Sequence, residues 1–171
     1  MSCCLPGELD ARPSRWRAHS VSRVLIARPN DFIVGAISSL FARLDLPPVP
    51  VVTPEALASV PLDDVVGAVI SLAVTSRMPL SFVEVLARVR ERAPGLPVIA
   101  TSLSRDPALV QAAIDLELRE RSPLIGVPFT PALSGHPLPG APHAVLVLRA
   151  MDVEKPTSEL EAVVRRHLGL G

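Results

Sequence analysis

Apolar positions along the chain fall into short continuous runs that alternate with segments of helical spacing. "SRVLIARP" is a β-branched run closed by Pro29, and "NDFIVGAISSLFARLD" follows with Ile33, Ile37, Leu40, Phe41 and Leu44 on one helical face. A brief strand is expected over Val49 to Val52, then a short helix capped by Thr53 with Pro54 in its first turn, where a missing N–H costs little. "DDVVGAVIS" reads as a strand apolar on both faces, as a buried parallel strand should be. Ser81 and Glu84 have capping-box spacing at the start of a helix that continues through Val85, Leu86, Val89 and Ala93 to "PG". "LPVIATS" gives a fourth strand, Asp106 to Ser122 a helix, and "PLIGVPF" a fifth strand.

Strands and helices at this spacing predict an α/β fold, a doubly wound parallel sheet of flavodoxin-like type with its functional rim at the carboxyl ends of the strands. Beyond the fifth strand, "TPALSGHPLPGAPH" reads as a Pro- and Gly-rich loop. "AVLVLRAM" then reads as an extra C-terminal strand, and "PTSELEAVVRRHLGLG" as a terminal helix burying Leu160, Val163, Val164 and Leu168. The expected organisation is a flexible basic arm over residues 1–21 and one α/β domain over 22–171.

Composition narrows the function classes. The 17 basic and 17 acidic residues cancel, so no protein-wide field favours nucleic acid or an anionic membrane. Only the arm, with Arg12, Arg15 and Arg17 around Trp16, offers a local basic patch for nucleic acid, and its terminal position reads more simply as a solvated leader. Mean hydropathy is +0.39, but no apolar run reaches the roughly 20 residues of a membrane span. Acids and prolines near the N-terminus exclude a signal-peptide pattern there, so a cytoplasmic location is expected. Cys3 and Cys4, adjacent in sequence, can neither staple a fold nor complete a metal site, and His136 and His143 lack further ligands. No cofactor is expected: there is no glycine-rich phosphate loop, and Ser71 does not stand in a nucleophile elbow. His167, near the end of the last helix, could carry a charge that suits the dipole.

The order of elements, and above all "VGAVISLAVTSRMPLSFVEVLARVRERAPGLPVIATSLS", resembles the central part of bacterial response-regulator receiver domains, over residues 22 to 130. That resemblance implies a CheY-like fold and a set of phosphoryl-transfer positions, each altered here. An acidic pair that holds Mg²⁺ matches Arg28 and Pro29, with Asp31 displaced toward the helix start. The phosphoacceptor Asp matches Ser71, an uncharged and weak nucleophile unless a base activates it. The hydroxyl position matches Ser102, beside Thr101. The lysine before a proline matches Val127 in "GVPF", 25 residues after Ser102; the sole lysine, Lys155, lies 53 after it and would require a long insertion.

The expectation is a degenerate pseudo-receiver in a two-component signalling setting, non-enzymatic, acting by protein–protein interaction on another signalling or scaffold protein. The alternative is a small-ligand domain whose cleft, ringed by Arg28, Arg77 and Arg105, binds an anion or nucleotide; the plain counter-reading makes all three exposed loop arginines.

Overall fold

A computed structural model describes residues 21–29, 31–72, 77–103, 129–131, 145–149, 153 and 156–171. The elements are β1 (Arg23–Ala27), α1 (Asp31–Arg43), β2 (Pro48–Val51), α2 (Pro54–Ser59), β3 (Val65–Ser71), α3 (Phe82–Arg92), β4 (Val98–Ser102), β5 (Phe129–Pro131), β6 (Val145–Arg149) and α4 (Ser158–His167). The basic arm and the helix expected over Asp106 to Ser122 lie outside the described residues.

Helix starts follow local chemistry. Thr53 Oγ1 accepts from the Ala56 N–H at 3.2 Å, and Thr157 Oγ1 from the Leu160 N–H at 3.2 Å. At α3 the capping box is complete: Ser81 Oγ accepts from the Glu84 N–H, and the Ser81 N–H donates to Glu84 Oε2 at 2.7 Å. Helices α1 and α4 both end in a Schellman turn, with Asp45 and Gly169 at positive φ and the N–H groups of Leu46 and Leu170 donating back to Phe41 and Arg165.

All six strands are parallel, in the order β2-β1-β3-β4-β6-β5. The doubly wound α/β sheet is therefore as expected, but the last two strands exchange places. The run expected as an addition is β6, paired along its whole length with β4, while the described part of the expected fifth strand is the three-residue edge strand β5. Side-chain chemistry accounts for this. "VLVL" is apolar on both faces and all four residues are buried, which suits an interior strand, whereas Pro131 lacks the N–H that a second neighbour would need. Residues 130 and 131, expected in the loop, belong to β5.

The other edge is β2. The Val24 N–H donates to the Pro47 carbonyl, so by alternation residues 47, 49 and 51 turn toward β1 and 48 and 50 turn away. Both outward positions are prolines.

Two cores flank the sheet. Leu25, Ala27, Ala68, Ile70, Val98, Ala100, Val145 and Val147 pack with α2 and α3, and Val24, Ile26, Val69, Ile99, Leu146 and Leu148 with α1 and α4. Most of the predicted helix faces are buried, Ile37, Leu40, Phe41 and Leu44, Val85, Leu86 and Val89, and Leu160, Val164 and Leu168, while Ala93 and Val163 are partly buried and the Ile33 side chain lies outside the described ones. Gly67 is where α4 comes closest, because a Cβ there would stand 2.3 Å from Leu168 Cδ2. Among the described residues no helix is long and apolar enough to cross a membrane.

Candidate functional site at the carboxyl ends of the strands

Four of the six strands deliver one or two polar residues as their apolar runs end. Arg28 follows β1, Ser71 closes β3, Thr101 and Ser102 close β4, and Arg149 closes β6. Register sets them side by side: Ala27 pairs with Ile70, Ser71 with Thr101, and Ser102 with Arg149.

The pleat then divides the row. Ile26, Val69 and Ile99 belong to the α1/α4 core, so two residues on, the strand positions Ser71 and Thr101 continue that face. Ala100 and Val147 belong to the opposite core, so Ser102 and Arg149 continue the α2/α3 face, with Leu72 packed there as well. Ser71 and Ser102, expected as neighbours in one cup, therefore turn to opposite sides of the sheet. The hydroxyl paired with Ser71 is that of Thr101.

Burial is nearly complete. Arg28 is 0% exposed, Ser71 1%, Thr101 3% and Ser102 8%, while Arg149 is half-buried. Arg28 is the largest fully buried side chain among the described residues, and its backbone has φ 56°, a left-handed conformation that non-glycine residues adopt at a cost of about 1–2 kcal/mol. Thr101 Oγ1 is buried and has no hydrogen-bond partner among the described residues. Such a hydroxyl costs about 1–3 kcal/mol.

Of the three arginines of the expected cleft, two lie among the described residues. Arg28 is wholly buried instead of being an exposed loop residue, Arg77 is exposed after β3, and Arg105 lies outside the described residues. Half-buried Pro29 follows Arg28, and Asp31 is the exposed first residue of α1, where its charge suits the dipole. Val127 and Lys155 both lie outside the described residues. The strand beside β4 ends in Arg149, which sequence reasoning did not single out; the cation closing "VLVLR" was the available signal.

A bound Mg²⁺ requires several oxygen ligands, normally carboxylates among them. Among the described residues the strand ends offer two guanidinium groups and three neutral hydroxyls, and this set does not fit a hard divalent cation. Among the described residues no group of three or more His, Cys, Asp or Glu is placed to hold a metal ion.

Solved structures that match the fold include response regulator receiver domains. A response regulator receiver domain protein from Clostridium thermocellum superposes with a TM-score of 0.51 at 13% identity, over 86% of this chain and 94% of that one. The fold is that of a receiver domain. A response regulator receiver protein from Sinorhizobium medicae matches with a TM-score of 0.50 at 14% identity, over 87% of this chain and 95% of that one. NtrX from Brucella abortus gives 0.53 at 14% identity, over 87% of this chain but 27% of its own. No protein-family model matches the chain, and no curated protein does. At such identities the likeness establishes the receiver fold and leaves chemistry to the residues themselves.

Proposed function

We propose that the chain is a pseudo-receiver: a cytoplasmic, non-enzymatic signalling or scaffolding module that acts by contact with another protein and is not switched by aspartyl phosphate. The observation that carries this reading is Arg28, buried to 0% immediately after β1, the strand whose last residue, Ala27, pairs with Ile70 next to Ser71. Aspartyl phosphorylation in the receiver fold needs an acceptor carboxylate and a cation-binding acidic pair at these strand ends. A buried guanidinium there repels a metal ion, and a serine hydroxyl is uncharged and a weak nucleophile where an acceptor carboxylate is needed. Ser71 and Ser102 also turn to opposite faces, so they do not converge on one phosphoryl group. What remains for function is the shape of the module and the surface it presents.

The test is incubation of the full chain with acetyl phosphate and Mg²⁺, read by intact mass, together with fluorescence or NMR titration of beryllofluoride. No mass increment and no saturable change are expected. Stoichiometric modification, or beryllofluoride binding that depends on Mg²⁺, overturns the reading.

Arg149 supports a second reading, an anion- or nucleotide-binding cleft. It is half-buried, in register with Ser102, and stands nearer solvent than Arg28. A thermal-shift screen with nucleotides and phosphorylated metabolites separates the two, since a ligand specific to the folded state raises the Tm. A saturable rise lost in Arg149→Ala supports the cleft.

A further inference from the structure

At the opposite end of the sheet, the last turn of α4 is tied down by three independent contacts. His167 Nε2 lies 2.9 Å from the Val98 carbonyl at the first residue of β4. A carbonyl only accepts, so Nε2 carries the proton and donates, and in the neutral ring Nδ1 is bare. Leu168 fills the space over Gly67 that any Cβ would occupy. The Schellman turn fixes the backbone that carries both residues, with Leu168, Gly169 and Leu170 N–H groups donating to Val164, Arg166 and Arg165 carbonyls.

Arg90 on α3 acts electrostatically against a second proton on His167, and Arg165 and Arg166 are its neighbours on α4; the carbonyls at the end of that helix act in favour of one, and the turn over residues 93–97 carries no charged side chain. A second proton, on Nδ1, would place an imidazolium in a half-buried site within the field of Arg90.

We propose that the end of α4 is an acid-released latch, in which neutral His167 pins the last helical turn beneath β4 and its protonation beside Arg90 loosens that turn from the sheet. Burial, opposed by the Val98 hydrogen bond and reinforced by Arg90, holds the His167 pKa below its ordinary value. The sign follows from proton counts. In the window between the folded and unfolded values the unfolded turn binds more protons, so the latch is fully engaged above the ordinary histidine value of about 6.5 and is lost as pH falls through that window. The proposal is independent of the pseudo-receiver reading, because it uses the other end of the strands.

The test is NMR of the full chain from about pH 8 to about pH 5, following the His167 ring resonances and the exchange protection of the Leu168, Gly169 and Leu170 amides, each rate taken relative to its intrinsic value. Protection is expected to fall several-fold, with the midpoint of the His167 titration, while β1 and β3 amides hold. His167→Gln, whose amide can still donate to Val98, should flatten the response, and Arg90→Gln should shift the His167 midpoint upward. His143 precedes β6 by two residues, so His143→Gln serves as the control and should leave the response intact. Protection unchanged across the range, or a fall that persists in His167→Gln, overturns the latch. If His167→Gln does not fold, a mismatch between the two midpoints in the unmodified chain does the same.

Discussion

The two ends of the sheet bury their polar groups to different depths: the Arg23 and Asp64 side chains stay 30% and 24% exposed, whereas Arg28 is 0% exposed. At the amino end Arg23 Nη2 donates to Asp64 Oδ1 at 2.7 Å, Arg92 donates to the Leu57 and Val60 carbonyls at 2.6 Å, and His167 donates to Val98. Asp64 is held below the usual carboxylate range by its hydrogen bond to Arg23. At the carboxyl end a guanidinium is buried in a left-handed backbone, and the Thr101 hydroxyl is buried without a hydrogen bond among the described residues. Evolution retains such costs where a site does something other than hold the fold together.

The strongest way to break this comparison is Arg28→Ala. It removes a wholly buried charged side chain and leaves a cavity, and is expected to destabilise by about 3 kcal/mol or more in denaturant unfolding. A loss below about 0.5 kcal/mol would mean that Arg28 sits in water after all. At the opposite end, Gly67→Ala should cost about 2 kcal/mol by overpacking against Leu168, and most of that loss should vanish in a Leu168→Ala background. Thr101→Val should act with the opposite sign: deleting an unpartnered hydroxyl while keeping the volume is expected to stabilise by about 1 kcal/mol. The smallest effect is the pH slope. Stability should decline as pH falls below about 6.5 through His167, and the decline should be shallower in His167→Gln.

What the sequence discloses, and what it hides, follows from the range of the forces involved. The Ser81–Glu84 box and the Thr53 and Thr157 caps are contacts over three residues, and a string of letters contains them whole. The buried helix faces follow from periodicity in the same way. Arg28 is different, because an arginine after a strand normally reaches water and its burial is set by parts of the chain distant in sequence. Arg149 was missed because spacing ranked the two late strands by their distance from Ser102, whereas the sheet ranks them by which can be buried on both faces. The opposite facing of Ser71 and Ser102 was within reach: once Ser71 is seen to pair with Thr101, alternation alone places Ser102 on the other side.

The prolines at 48 and 50 have a consequence for assembly. Amyloid-like stacking and strand donation from a foreign chain both grow by capturing free amide hydrogens along an exposed border. On the β2 side this molecule has none to give at its outward positions, so polymerisation of copies border to border ends there, and the border terminates a filament where an ordinary one would seed it.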